Sequence, residues 1–236
     1  LLNRERIIQQ TYRGLGDPCY SFFAKPNAFY DEKINLKYRY NVEQAKELLA
    51  KAGIKPDAKG VMRDWDNVPV EFDLTINASS STTSDIAQII ADECSLVGIK
   101  ANVRQTDFQK IVEMLTSTYD WQSLIISLSG GSIFPSQGSN VWVSYGNLHL
   151  WYPLQPKPAT EWEARVDWLY NNASYTIDKV QAKKYWDEYQ EIYLEQCPII
   201  YLVSPRSFYA IQNKWNQENF YYDNMYGART EYVFAQ

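Results

Sequence analysis

Residues 70–76 read Val-Glu-Phe-Asp-Leu-Thr-Ile, and this stretch decides the fold. Apolar and polar side chains alternate along it, which is typical of a β-strand with one buried face and one wet face. A polar capping run at 79–84 precedes a predicted helix over about 84–97, which Gly98 ends. Alternation returns at 99–103 and predicts a second strand. The helix carries its apolar residues on one side: Ile86, Ile89, Ile90 and Val97.

The chain continues this order beyond the second strand. A short helix is predicted over 108–115, with Ile111, Val112 and Leu115 facing inward. Residues 121–128 are almost continuously apolar, which predicts a strand covered on both faces. The order strand, helix, strand, helix, strand indicates an α/β layer with helices packed on a sheet.

A helix with a clear start and stop is predicted on the N-terminal side of the first strand. It covers 42–52, with Asn41 as N-cap and Gly53 as the residue that ends it. Apolar residues at i, i+3, i+4 and i+7 predict one inward face, formed by Ala45, Leu48, Leu49 and Ala52.

Further elements are predicted near the two ends of the chain. Asn3 is expected to cap a first helix, and 15–40 to form a long ordered loop. Two helices are predicted over about 160–174 and 178–196, followed by a strand at 199–203. Strand-like runs at 207–211 and 231–234 complete the chain.

Composition excludes several classes of protein. The 236 residues are 22% charged and 45% hydrophobic, with a net charge of -5, which is typical of a globular chain. A nucleic-acid footprint is not expected because there is no basic stripe. A membrane span is not expected because no apolar run approaches the roughly 20 residues required.

Histidine and cysteine usage limits the chemistry. One histidine, His149, excludes a multi-histidine zinc site, and no CxxC pair is present. No metal or cofactor is therefore predicted. The three cysteines allow at most one bridge or three thiols, so the redox compartment stays open. The 36 aromatic residues favour a site for sugars or peptides, although core packing accounts for most of them.

Four segments resemble the substrate-binding proteins of ABC transporters for oligopeptides, dipeptides, nickel and some oligosaccharides, solute-binding protein family 5. They occur in the family's order, and the most specific is the segment that starts at Tyr40 and contains the helix predicted at 42–52. The four are Asn3–Ile8 with Tyr12–Gly16, Tyr40–Ile54, Ile89–Ile99, and Asp178–Tyr193 with Cys197–Tyr201.

The resemblance implies a periplasmic-binding-protein-like type II lobe, a mixed sheet flanked by helices. Residues 1–205 would be the second of two closing lobes, and 206–236 a C-terminal segment returning to a first lobe that is mostly absent. The chain begins with Leu1 rather than Met, and residues 2–8 read as a helix already under way, so the first lobe and any export signal or lipid anchor are expected upstream. The tail would then expose aromatics at Tyr209, Tyr221, Tyr222 and Phe234 or bury them in a dimer.

The resemblance also implies a function. The protein would capture oligopeptides between its lobes and deliver them to the transmembrane subunits of an ABC permease, in the periplasm or at the cell surface. It would contact no nucleic acid, would meet the membrane only through an anchor outside this chain, and would not be an enzyme. The same role for oligosaccharides or another small solute is the alternative.

The irregular stretch 129–158 is the candidate ligand site, because α/β folds bind ligands at loops beyond the carboxyl ends of their strands. In peptide-binding relatives an Asp-Pro in this loop receives the peptide's α-amine, but here it reads Phe134-Pro135. No carboxylate lies between Asp120 and Glu161, so an amine would have to meet carbonyl groups or the missing lobe. The candidate contacts are Gly131, Ser132, Phe134, Ser139, Asn140, Trp142, Tyr145 and Trp151.

Two other classes of function remain in competition. A glycosidase would need paired carboxylates such as Glu161 and Glu163, but i, i+2 positions on a helix point apart. An interaction or chaperone-like module fits the polar loops but explains none of the motif order. His149 alternates with Leu148 and Leu150, which favours a structural role for its ring.

Overall fold

The computed structural model describes residues 1–23, 25, 27–128, 138–206, 208, 210–215, 222–223 and 227–229. The helices are α1 (Arg4–Tyr12), α2 (Glu32–Asn35), α3 (Val42–Lys51), α4 (Ser81–Ser95), α5 (Phe108–Glu113) with a π-helical turn (Met114–Thr118), α6 (Ser139–Trp142), α7 (Glu161–Tyr175) and α8 (Lys179–Gln196). The strands are β1 (Gly16–Pro18), β2 (Lys55–Pro56), β3 (Met62–Arg63), β4 (Glu71–Asn77), β5 (Lys100–Thr106), β6 (Ser123–Leu124), β7 (Val203–Pro205), β8 (Tyr222–Asp223) and β9 (Gly227–Ala228).

A parallel sheet in the order β5-β4-β6 forms the centre of the α/β layer. The strand predicted at 70–76 is thus the middle strand, β4, which pairs with β5 from Glu71 with Lys100 to Asn77 with Thr106. Thr75, expected on a wet face, is buried. Thr75 lies in the middle strand, between Leu124 of β6 and Arg104 of β5, and parallel strands of an α/β layer are covered on both faces.

Helix α4 packs on this sheet as predicted. Ser80 caps it by accepting a hydrogen bond from the backbone N–H of Thr83, so the helix begins three residues earlier than expected. Gly98, at φ +75°, ends it, and the N–H of Ile99 bonds back to the carbonyl of Cys94. The aliphatic core contains Ile7, Leu74, Ile76, Ile86, Ala87, Ile89, Ile90 and Cys94.

The apolar run at 121–128 is not a strand buried on both faces. Pairing is limited to β6, at one edge of the described sheet, and Leu128 is 49% exposed. An edge strand has a neighbouring strand on one side only, so its side chains have fewer neighbours on each face of the sheet than those of a middle strand. Two smaller predictions are also corrected. Val112, which was expected to face inward, is exposed, and the strand expected at 199–203 is β7, which covers 203–205.

Helix α3 forms as its capping residues predict but buries no residue. The side chain of Asn41 accepts from the backbone N–H of Gln44, and Gly53 follows at φ +82°. Its predicted inward face lies at the surface, with Leu48 49% exposed. Capping is decided by local sequence, whereas burial depends on whether another element lies against the face.

The C-terminal helices α7 and α8 pack together around an aromatic core. Trp186 and Tyr189 are fully buried at its centre, and Phe22 and Phe23 reach it from the loop after β1. Burial raises the pKa of the Tyr189 and Tyr193 phenols, which keeps them neutral. This aromatic core is distinct from the aliphatic core under the sheet.

Strands β1 and β7 join the start of the chain to residues near 205. They pair antiparallel from Gly16 with Pro205 to Pro18 with Val203. Just beyond them, Arg206 donates two hydrogen bonds to the carboxylate of Asp17, at 2.9 and 3.1 Å. Most of the tail, including the predicted strand at 231–234 and the side chains of its four aromatics, lies outside the described residues.

Candidate functional site

Residues 138–155, here called the site loop, follow the glycine-rich segment and fold around the short helix α6. A tight turn at Gly146 closes the loop, because the N–H of Leu148 bonds to the carbonyl of Asn140 at 2.9 Å. A Cβ at Gly146 would lie 2.2 Å from that same oxygen, so only glycine fits there. The N–H of Leu154 bonds to the Gly146 carbonyl at 3.0 Å and brings the end of the loop back to this turn.

The carboxylate of Asp167, on α7, holds the middle of the site loop. One oxygen accepts from the backbone N–H of Ser144 at 2.8 Å, and the other accepts from the Ser144 hydroxyl at 2.5 Å. Both residues are buried. A residue in an irregular loop has no strand to satisfy its backbone N–H, and the helix side chain supplies the acceptor instead.

Glu163, one helical turn before Asp167, holds the end of the site loop. Its carboxylate accepts from Trp151 Nε1 at 3.3 Å, from Gln155 Nε2 at 2.8 Å and from the Thr160 hydroxyl at 2.8 Å. Burial would raise the pKa of this carboxyl, but the three hydrogen bonds outweigh it and the pKa lies below its usual value. Glu163 therefore stays ionised inside the fold, and its carboxylate oxygens are engaged by these three hydrogen-bond donors.

The ring of His149 packs beside these groups. Its Nδ1 lies 2.9 Å from the carbonyl oxygen of Val141, and because a carbonyl only accepts, Nδ1 carries the proton. Its Nε2 lies 3.7 Å from a carboxylate oxygen of Glu163, and the ring centroid is 4.0 Å from that of Trp151. The histidine is buried, in agreement with the structural role predicted for it.

The described candidate contacts fall into two groups, one that packs toward the core and one that is exposed to solvent. Trp142 and Trp151 turn toward the aromatic core, with ring centroids 6.3 and 5.7 Å from that of Tyr193. Ser139 and Asn140 are exposed, and Tyr145 exposes 56% of its surface. The predicted contacts Gly131, Ser132 and Phe134 lie outside the described residues.

Sequence reasoning missed three features of the site. Leu148, Tyr152 and Leu154 are exposed in the same loop as Tyr145. The role of Glu163 was also missed, although Thr160 followed three residues later by Glu is a capping-box signature. No sequence signal marks Asp167, because its partner lies 23 residues away.

The carboxyl edge of the sheet is lined with polar groups that satisfy one another. The side-chain oxygen of Asn77, at the end of β4, accepts from the N–H and the hydroxyl of Ser79. Asp107, just after β5, caps α5 through the N–H of Lys110.

The two carboxylates considered as a glycosidase pair are separated by burial. Glu161 is exposed while Glu163 is enclosed, so the two carboxylates do not face a common space. Within the described ranges, no cluster of three or more His, Cys, Asp and Glu side chains could hold a metal ion. The same ranges contain no helix with the length and apolarity needed to cross a membrane.

Comparison with solved structures defines the class as the periplasmic binding proteins. The Bacillus subtilis oligopeptide-binding protein AppA, solved in complex with a nonapeptide, matches with a TM-score of 0.71 and 26% identity over 86% of this chain and 40% of AppA. The oligopeptide-binding protein of Thermus thermophilus, solved with a pentapeptide, matches in fold with a TM-score of 0.74 at 19% identity, over 96% of this chain and 40% of that one.

The chain belongs to the bacterial extracellular solute-binding proteins, family 5, whose middle-region model matches residues 1–149. Two relatives agree with this assignment. A probable ABC transporter-binding protein of Deinococcus radiodurans is 26% identical over 233 residues, 92% of this chain and 39% of the relative. AppA of Bacillus subtilis is 26% identical over 218 residues, 89% of this chain and 38% of AppA. The chain thus spans about 40% of the length of these relatives.

Proposed function

We propose that this chain forms one lobe of a binding protein that captures oligopeptides for an ABC importer. The observation that carries the proposal is the likeness to AppA, which extends over most of this chain and includes a structure with a bound nonapeptide. Residues 1–205 act as the second lobe, and 206–236 return to the first. Peptide binds between the lobes, the lobes close, and the transmembrane permease subunits receive the closed form.

In this proposal the site loop supplies the contacts of this lobe. Tyr145 is the exposed aromatic among the described candidates and offers a large contact area with little side-chain entropy to lose. Ser139 and Asn140 present a hydroxyl and an amide for hydrogen bonds to a peptide backbone. Gly131, Ser132 and Phe134 join them from the glycine-rich segment, and Trp142 and Trp151 line the loop from the core side.

A neutral oligosaccharide is the second candidate ligand. Residues 121–160 contain one side chain with a formal charge at neutral pH, Lys157, so the loop offers neither ion pairs nor a free carboxylate to a ligand amine. Aromatic, hydroxyl and amide groups without charge suit sugar rings as well as peptide backbones. The carboxylates of Glu163 and Asp167 lie next to the loop, and both already accept hydrogen bonds from loop donors.

The remaining parts of the proposal follow from the family. The protein works outside the cytoplasm, held to the membrane by a lipid anchor beyond this chain, and it releases its ligand unchanged. Incubation with chromogenic glycosides and peptides should therefore give no turnover, and sustained product formation would contradict the binding role.

The direct test is recovery of bound peptides. The protein is incubated with a pool of nonapeptides, washed, denatured and analysed by mass spectrometry, and retention of a subset is the expected result. Retention of oligosaccharide from a mixed pool, with no peptide, would favour the second candidate.

A pair of variants tests the site. Tyr145→Ala should weaken binding of the most enriched nonapeptide about tenfold, as truncating a central aromatic contact does. Tyr175→Ala is the matched control, because that ring is 85% exposed at the end of α7, eight residues and about 12 Å along the helix from Asp167. Equal effects of the two substitutions would contradict the site assignment.

A further inference from the structure

Tyr145 is an exposed ring on a segment that is otherwise enclosed. Val143 and Ser144 before it are each 1% exposed, and Gly146 after it is buried. The N–H of Gly146 bonds to the carbonyl of Val143 at 2.9 Å, which closes a turn around Tyr145. The backbone that carries this ring is therefore fixed from both sides.

Asp167 fixes the residue directly before Tyr145. Its two carboxylate oxygens accept from both donors of Ser144, the backbone N–H and the hydroxyl, so residue 144 is held in position and in orientation. Asp167 lies in the middle of α7, whose neighbours Val166, Leu169 and Tyr170 are buried in the aromatic core. The carboxylate thus connects a rigid helix to the turn that presents the ring.

We propose that Asp167 is a positioning residue for ligand binding, which acts by holding the turn that presents Tyr145. The inference rests on the proposed function, since it takes Tyr145 as a ligand contact. A ring already held in its bound position loses less freedom when the ligand arrives, which strengthens binding without any contact from Asp167 itself.

A double-mutant cycle on ligand affinity tests this role. The probe is the nonapeptide most enriched from the pool, and the variants are Asp167→Asn, Tyr145→Ala and the double substitution. Asp167→Asn keeps the shape and one acceptor oxygen, and it should weaken binding about threefold to fivefold while the protein stays folded. In the Tyr145→Ala background the same substitution should change affinity by less than about 1.5-fold, because no ring remains to be positioned.

Two further variants keep the test sharp. Ser144→Ala removes the hydroxyl donor, keeps the N–H, and should lose its effect on affinity in the Tyr145→Ala background in the same way. Glu163→Gln is the matched control on the same helix, because its hydrogen bonds hold residues 151, 155 and 160. The fold-change in affinity caused by Glu163→Gln should be the same with and without the Tyr145 ring, as expected for two independent positions.

The possible outcomes separate the inference from the proposed function. If nonapeptides bind and Asp167→Asn weakens binding equally with and without the Tyr145 ring, the positioning role is overturned and the function stands. If Asp167→Asn leaves the affinity of the folded protein unchanged, the positioning role is overturned as well. If no nonapeptide binds, or Tyr145→Ala has no effect, the proposed function or its site fails and the inference fails with it.

Discussion

The part of the chain that contains the sheet β5-β4-β6, here called the sheet half, and the part that contains the site loop with α7 and α8, here called the loop half, satisfy their buried groups in different ways. Under the sheet, aliphatic side chains such as Ile76 and Ile89 fill the core, and the strands pair the backbone groups with one another. Under the site loop, the core is aromatic, and the buried carboxylates of Glu163 and Asp167 accept from donors that no strand can satisfy. An irregular binding loop therefore depends on specific polar side chains, whereas a strand depends on its neighbours.

The difference has a consequence for substitution. An aliphatic core tolerates swaps that conserve volume, because its side chains have no polar atoms to satisfy. The loop half couples ring packing to hydrogen bonding: the Tyr193 hydroxyl donates to the carbonyl of Trp142 at 3.2 Å, which ties α8 to α6. Damage to its core should therefore reach the site.

The largest expected effect is that of Trp186→Ala. Trp186 is fully buried, and the ring centroids of Phe23, Tyr170 and Tyr189 lie 5.4, 5.5 and 5.4 Å from its own. Deleting it leaves a cavity among rings that cannot collapse, and the free energy of unfolding should fall by about 3–5 kcal/mol. Urea unfolding measures the loss. Trp168→Ala, at a half-exposed site on α7, should cost no more than about 1 kcal/mol, and similar losses at both sites would show that the aromatic core is not the main support of this half.

A pair of glycines tests the sheet half with an intermediate effect. Gly53 and Gly98 each end a helix at positive φ, and each is followed by Ile and Lys. A Cβ at Gly53 would meet nothing within 4 Å, but one at Gly98 would lie 2.0 Å from the carbonyl oxygen of Gly60.

Gly53→Ala should therefore cost only the left-handed backbone conformation, about 1 kcal/mol of unfolding free energy. Gly98→Ala should cost about 3 kcal/mol, since backbone must also move to relieve the clash. Thermal and urea unfolding of both variants measure the difference. Equal losses would mean that the approach of Gly98 to Gly60 is not a fixed feature of the fold.

The sequence predicted the elements whose signals are local. The alternation at 70–76 and 99–103 and the periodicity of α4 identified the sheet and its helix, because side-chain spacing along one element reports which face is buried. Asn3, Asn41 and Gly98 marked helix ends for the same reason. Fold class follows from these elements together, whereas the family was expected from the resemblance of four segments and is shown by the match to residues 1–149.

Features that depend on distant partners could not be predicted. Nothing in residues 42–52 shows that the helix buries none of its residues in the described structure, and nothing in 121–128 shows that β6 lies at an edge of the described sheet. In the site loop, Trp142, Tyr145 and Trp151 look alike in sequence, but two pack inward and Tyr145 faces out. The difference is set by α7 and α8, which lie later in the chain.

The smallest expected effect concerns the pH dependence of the loop half. Hydrogen bonds hold the pKa of Glu163 below its usual value, so it contributes stability that is fully present above the unfolded pKa, about 4.3, and is lost as pH falls through the folded pKa. Glu163→Gln carries no titrating group there, so its unfolding free energy should fall less steeply below about pH 4.5 than that of the unmodified protein. Urea unfolding at a series of pH values measures the two slopes.

Glu188→Gln is the control, because Glu188 pairs with Arg165 at the surface, where salt screens the interaction. Half-molar salt should remove most of the difference in slope between Glu188→Gln and the unmodified protein, but it should leave the difference for Glu163→Gln, because the carboxylate of Glu163 is shielded from the solvent. If the unfolding free energies of Glu163→Gln and of the unmodified protein fall in parallel below about pH 4.5, the loop does not hold this carboxylate as an ion.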